Sequence, residues 1–228
     1  MGYIEFLSKH GYSHEIVNIA KGLVEVPKHS IHAPADPIYG FPPVLIPLWS
    51  DPDWPGYIGI AKDWFGGRRD TFVQFFVEDF FFVEIARSLE QLKAWMVFDF
   101  LCNVPAPDEV GRFSESIGFC AADDVENIFS DCEVVSDLAK LNIFKKDLPP
   151  VIGKGEEFGA PEWLMETSGV AEIRGLISAS QYERAWNQLN STVISKPEVA
   201  DILDTLSLHV TEKDAFKDLI ACWSASNL

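Results

Sequence analysis

Between Pro43 and Leu101 the chain sets out four short apolar runs separated by polar connectors, then changes to a helical rhythm. The runs are PVLIPLW (43–49), GYIGIAK (56–62), TFVQFFV (71–77) and FFVEIAR (81–87). Each is rich in β-branched or aromatic residues and bounded by Pro, Gly or Asp, the punctuation expected of strands. Their connectors run from Ser50 to Pro55, from Asp63 to Asp70 around Gly66-Gly67, and from Glu78 to Phe80. Parallel neighbours need crossovers of a dozen or more residues, so these lengths predict an antiparallel meander. In the third run Thr71, Val73, Phe75 and Val77 face one way, and Phe72, Gln74 and Phe76 the other. Both faces are largely apolar, which predicts a sheet covered on both sides. Glu78-Asp79 suits a tight hairpin, although it lacks the Asn-Gly or Asp-Gly signature.

Ser88-Leu-Glu-Gln91 reads as a capping box, in which the Ser88 hydroxyl accepts from the Gln91 amide while Gln91 reaches back. The helix it opens carries Leu89, Leu92, Trp95, Met96 and Phe100 near helical spacing, a face expected to pack on the sheet. Upstream, Tyr3 to Lys9 forms a short helix that stops at Gly11. Ser13 caps a second, containing Ile16, Val17, Ile19 and Ala20, and Gly22 ends it. Pro27, Pro34, Pro37, Pro42 and Pro43 predict an extended, irregular approach to the sheet.

Beyond Pro105 strand signals become rare. Pro105, Pro107 and Gly111 mark a linker, 123–130 and 136–144 read as helices, and Pro149-Pro150 with Gly153-Lys-Gly155 form a second loop. Ser180-Gln-Tyr-Glu183 and Ser195-Lys-Pro-Glu198 are capping boxes, and Thr211-Glu-Lys-Asp214 is the aspartate analogue, so three more helices follow. The fold class is α+β: an antiparallel sheet of about four to six strands with flanking helices, followed by a mainly helical C-terminal half. The division falls between residues 1–104 and an acidic region 105–228, which either stands apart or packs on the first as one unit.

Hydrophobic residues make up 47% of the 228, and aromatics 13%, enough for a real core and too much for a disordered chain. Eighteen Lys and Arg face 35 Asp and Glu, a net charge of −17. Such a field repels nucleic acid and anionic membrane surfaces and speeds encounter with a basic protein. Its plainer reading is solubility for an aromatic-rich chain. The acids concentrate between 108 and 133, where Asp108, Glu109, Glu115, Asp123, Asp124, Glu126, Asp131 and Glu133 meet Arg112 alone.

Catalytic signatures are lacking. Cys102, Cys120, Cys132 and Cys222 form no CxxC pair, and Cys102 and Cys222 sit in apolar helical contexts that predict buried thiols. His10 and His14 have a metal-ligand spacing, but Gly11 and the Ser13 cap break the helix between them; His29 and His32 sit in the proline-rich loop. Gly153-Lys-Gly155-Glu lacks the phosphate-loop pattern, and no GxSxG occurs. Acid pairs such as Asp51 and Asp53, or Asp79 and Glu84, arise readily in so acidic a chain. No metal, cofactor or catalytic residue is therefore expected. No basic-then-apolar leader and no run of about 18 apolar residues is visible, so a reduced, cytoplasmic protein is the expectation.

Two connectors place Trp beside charge at strand ends: Asp51-Pro-Asp53-Trp54-Pro55, and Asp63-Trp64-Phe65 leading to Arg68-Arg69-Asp70. Loops on a rigid sheet often carry recognition, and Trp is enriched at interface centres. The competing reading folds Trp54 and Trp64 back over the edge of the core. The expected partner-binding residues are Asp51, Asp53, Trp54 and Trp64 from these loops, with Asp108, Glu109, Asp123, Asp124 and Glu126 from the acidic stretch.

The segment with Ile46-Pro47, Asp51 to Gly56, Tyr57-Ile58-Gly59-Ile60, Thr71-Phe72-Val73 and Ile85-Ala86-Arg87-Ser88-Leu89-Glu90-Gln91-Leu92 resembles the SUKH superfamily. That group is named for the yeast Smi/Knr cell-wall regulators and bacterial immunity proteins. The resemblance covers roughly residues 1–102, and the helical tail is an addition to it. It implies a non-enzymatic α+β domain that binds another protein, in bacteria often a toxin such as a nuclease or deaminase. The partner would then be a protein, in one version a basic toxin domain, with no nucleic acid and no membrane. Association of copies of the chain stays open. Two other readings remain: a hydrolase-type enzyme with its site between sheet and helical tail, and a structural or oligomeric scaffold.

Overall fold

The computed structural model describes residues 1–24, 40–51, 56–102, 107–131, 134–154 and 159–227. Strands β1 (Leu45–Asp51), β2 (Gly56–Ala61), β3 (Thr71–Phe76) and β4 (Phe81–Ala86) form one sheet in the order β1-β2-β3-β4, every neighbour antiparallel. The meander is as the connector lengths require, with four strands among the described residues. β2 is buried along its whole length, so both faces of the sheet are indeed covered.

Two local features mark the sheet. Pro47 on edge strand β1 pairs with Gly59 on β2, and the register shifts between Pro47 and Trp49. An edge strand with a bulge is where a sheet tolerates proline, which cannot donate to the ladder. Gly59 is required opposite it: a Cβ there would lie 2.5 Å from the Ile46 carbonyl oxygen. The β3–β4 turn closes with the Phe80 amide donating to Val77, and Phe80 takes φ 48°, a left-handed conformation costly for a bulky side chain. Its ring packs edge-on against Phe75 at 5.5 Å, which holds it there.

Helices α1 (Tyr3–Lys9) and α2 (His14–Ala20) precede the sheet. Ser13 caps α2 through the Ile16 amide at 3.3 Å, and Gly11 and Gly22 turn the chain at positive φ, as expected. Helix α3 (Leu89–Cys102) departs from the sequence reading. Rather than one apolar face, it buries nearly its whole circumference, Gln91 and Lys93 included. It lies between the sheet and two helices, α4 (Pro107–Ser116) and α5 (Ala122–Asp131). α4 occupies part of the expected linker; Pro107 stands at its start, where the missing N–H costs nothing. Phe100 stacks on Phe113 of α4 at 4.5 Å, and Phe98 meets Phe129 of α5 at 5.6 Å.

A 3-10 turn (Val135–Lys140) and α6 (Pro150–Lys154) lead to α7 (Val170–Ser178), α8 (Tyr182–Asn190), α9 (Lys196–Leu206) and α10 (Lys213–Asn227). α7 has no counterpart in the sequence reading, and it changes the meaning of Ser180. That residue has φ 57° and ends α7, its amide donating to Ile177 and the Gln181 amide to Leu176, instead of capping α8. Ser195 begins α9, but its hydroxyl bonds the Glu198 carboxylate and no backbone amide.

The helical tail grips the chain where it joins the sheet. The Val44 amide donates to Asn190 Oδ1 at 2.7 Å, the Phe41 amide to Asn227 Oδ1 at 3.1 Å, and the Trp223 indole N–H to the Phe41 carbonyl at 2.7 Å. The apolar core is continuous from Tyr3 to Trp223 across the sheet and the later helices.

Gln91, 2% exposed, joins sheet, helix and tail. Its amide meets Ser88 Oγ at 3.2 Å, as a capping box requires. Its side-chain oxygen accepts from the Arg87 amide at 2.7 Å, and its side-chain nitrogen donates to the carbonyls of Ile143 and Asp147 at 2.9 and 2.8 Å. Replacing Gln91 with Ala leaves three part-buried backbone groups without this partner, each worth up to about 1–3 kcal/mol when unsatisfied. The expected loss is about 3 kcal/mol or more, read from the urea midpoint. A loss below about 1 kcal/mol would contradict this role.

Candidate functional site

The acidic stretch forms the outer faces of α4 and α5. Val110 and Phe113 of the first, Ile117 just beyond it, and Val125 of the second are buried, while Asp108, Glu115, Asp123 and Asp124 are exposed and Glu109 and Glu126 half-buried. Asp108 and Glu109 stand in the first turn of α4, and Asp123 and Asp124 in that of α5, so each also favours its own helix dipole. Arg112 pairs with Asp108 at 3.1 Å. The structure therefore collects the five acidic candidates of this stretch on two adjacent helices.

The loop candidates fare differently. Asp51 ends β1, and Asp53 and Trp54 lie outside the described residues, as do His29 and His32. Trp64 is 7% exposed and packs edge-on against Phe216 of α10 at 5.2 Å, so it folds over the edge of the core. Asp63 makes that placement possible. Its carboxylate, 2% exposed, accepts backbone bonds from Phe65 (3.1 Å), Gly66 (2.9 Å) and Arg68 (2.9 Å), closing the loop around itself. Burial acts to raise its pKa, but these three amides and the Arg68 charge outweigh burial and hold it below the usual carboxylate value.

Two concave sites lie between the sheet and the helical tail, and neither has a local sequence signal. The first, about 210 Å³, is lined by Lys62, Arg68, Arg69 and Arg87 facing Asp63, Glu84 and Glu162, with Trp163 beneath Arg68. Arg87 bonds Glu84 at 2.5 Å and Asp147 at 2.8 Å, and Arg69 also pairs with Asp147. Every cation here already has a carboxylate. The network fastens the segment around Asp147 to the sheet, beside the bond from the Glu84 amide to the Gly159 carbonyl. Burial raises the Glu84 pKa against the opposing pull of Arg87.

The second site is a cavity of about 380 Å³, whose walls include Phe6, Ile60, Trp64 and Phe72. Tyr12 donates to Asp70 at 2.9 Å, and Lys62 lies 3.9 Å from both Asp70 and Glu212. Burial, with Glu212 and Asp63 nearby, raises the Asp70 pKa, although Lys62 and Tyr12 oppose it. His10, also on the wall, meets Asp218 of α10 at 2.8 Å.

Cys222 is buried, and burial pushes its thiol up to about 11, but Cys102, the last residue of α3, is exposed, against expectation. Cys132 lies outside the described residues. Among the described residues no three His, Cys, Asp or Glu side chains are grouped to hold a metal, and no helix is long and apolar enough to cross a membrane. No family model matches the chain, and no curated protein or solved structure matches it either.

The lowered pKa of Asp63 has a signed consequence. Its charged form stabilises the fold above the ordinary carboxylate range, and that contribution disappears as pH falls through the folded value. Asp63→Asn turns an N–H donor toward one of the three amides, with an expected loss of about 1–3 kcal/mol at neutral pH. Urea midpoints should show the gap from the native protein shrinking as the pH approaches about 3. A gap independent of pH would remove the carboxylate charge from the explanation.

Proposed function

We propose that this chain is a non-enzymatic protein-binding module of the immunity type, which neutralises a basic toxin domain through the acidic faces of α4 and α5. The observation that carries this reading is that seven carboxylates between Asp108 and Asp131 share two adjacent helices with a single cation, Arg112. The helices are fixed to α3 by buried aromatic pairs, so their charges are presented on a firm support. Charge complementarity of this kind accelerates capture and suppresses wrong partners more than it adds raw affinity. The SUKH resemblance of residues 1–102 supports the same reading, and the reduced, cytoplasmic setting belongs with it.

A second reading has one observation in its favour. A hydrolase-type enzyme between sheet and helical tail would use a cavity with a His–acid pair, and His10 on the cavity wall pairs with Asp218 behind it. Ser13, on the same wall, already spends its oxygen as the cap of α2.

The deciding measurement is association with the purified product of the gene adjoining its own, since toxin and antidote genes adjoin in the superfamily it resembles. Binding at submicromolar protein is expected, with an association rate that falls steeply as salt rises. Asp123→Asn with Asp124→Asn should slow association several-fold, at a stability cost of about 1 kcal/mol from the lost helix-dipole interaction. Absence of binding at micromolar protein and low salt would count against the proposal.

A further inference from the structure

The cavity beside Lys62 is built from elements other than the acidic helices, and its chemistry is of another kind. The Lys62 ammonium lies 4.6 Å from the centre of the Trp64 ring and 3.9 Å from each of two carboxylates, Asp70 and Glu212. An aromatic face with flanking carboxylates is how proteins hold organic cations, because the ring's negative face and the fixed charges both favour a weakly hydrated positive group. Here the chain's own lysine shows what the arrangement accepts.

Lys62 does not complete the site. Both of its ion pairs are longer than a direct hydrogen bond. Two carboxylates face one ammonium, which leaves one negative charge in excess. The cavity extends past the lysine to about 380 Å³ between Phe6, Ile60 and Phe72, room for the apolar stem of a small molecule. Tyr12 steadies Asp70 from the opposite side. We propose that this cavity binds a small organic cation, an ammonium or guanidinium on an apolar or aromatic stem, with Asp70 and Glu212 taking the charge, Trp64 and Phe6 lining the stem, and Lys62 competing for the same carboxylates.

The competition gives the proposal its test. In calorimetric titrations, phenethylammonium is expected to bind at least about tenfold more tightly than uncharged 2-phenylethanol, and phenylacetate not to bind. Lys62→Met keeps the apolar stem and removes the competing charge, so it should tighten phenethylammonium binding several-fold. Asp70→Asn and Glu212→Gln should each weaken it by about threefold or more.

The native protein supplies a measurement that needs no variant to fold. Cation binding favours ionised Asp70, whose pKa is raised, so on acidification affinity should begin to fall above the ordinary carboxylate range and be lost through it. The groups facing Asp70 are Tyr12, Lys62, Glu212 and Asp63; His10 also lines the cavity, and His10→Gln separates its share of the pH effect. The tripeptide Gly-Arg-Gly tests whether the cation is a side chain presented by a peptide: binding it as tightly as phenethylammonium assigns the site to a peptide's basic residue, and weaker binding assigns it to a free amine. Equal affinity for phenethylammonium and phenylethanol, or loss of binding in Lys62→Met, would overturn the proposal.

Discussion

A sheet that is apolar on both faces must be covered twice, and the way this chain meets that requirement determines everything around it. β2 has no exposed residue, and neither face of the meander is left for water. α3 provides part of the cover, and because α4 and α5 then cover α3, it becomes a central helix with almost no solvent face. Burial on this scale is favourable for the apolar side chains and costly for any polar group taken along. The polar residues caught inside are consequently the ones that join elements. Gln91 ties the end of β4 to two carbonyls of the later chain, and Asn190 and Asn227 satisfy the backbone of residues 41–44.

Lys93 shows the same logic with a charge. It is 3% exposed, yet its ammonium reaches Glu15 at 2.9 Å, Glu90 at 3.0 Å and the Gly118 carbonyl at 3.3 Å. Burial acts to lower its pKa, and the two carboxylates more than compensate, so the net shift is upward. The aliphatic stem fills space on α3 while the charge emerges between α2 and the turn after α4.

How much of this could be read beforehand depended on whether the physics was local. The four strands and their antiparallel order followed from short connectors and turn residues, and the Ser13 and Ser88 caps from interactions three residues apart. Ser180 misled because Ser-x-x-Glu has the same letters whether the serine starts one helix or, in a left-handed conformation, ends the one before. Pro107 misled in the opposite sense, since proline marks a linker and a helix start equally well. The circumference of α3 was hidden because the sequence shows only the stripe from Leu89 to Phe100, and Gln91 and Lys93 are covered by parts of the chain remote from it, among them Glu15, Gly118, Ile143 and Asp147. The cavity beside Lys62 brings together Tyr12, Asp70 and Glu212, whose separation along the chain leaves no local pattern to find. Conversely the acidic stretch was plain in the sequence, and what the structure adds is its support on α3.

The pairing of cations with carboxylates sharpens the one-sidedness that 35 acids against 18 Lys and Arg give the surface field. Lys9, Lys62, Arg68, Arg69, Arg87, Lys93, Arg112, Lys140 and Arg174 all lie in ion pairs, half of the eighteen Lys and Arg. Several are the pins that hold tail to sheet or helix to helix: Arg87 and Arg69 on Asp147, Lys93 on Glu15, Lys9 on Asp218. A cation fixed beside a carboxylate contributes little to the distant potential, because the pair appears as a dipole and is screened within about a Debye length. The acids outnumber these cations, and between 107 and 131 seven of them stand together on two helices with only Arg112 among them. Self-repulsion there is a cost to stability, offset in part by the helix dipoles that Asp108, Glu109, Asp123 and Asp124 face. Under the proposed function a basic partner surface offsets that repulsion, while the same excess of acids also keeps an aromatic-rich chain soluble.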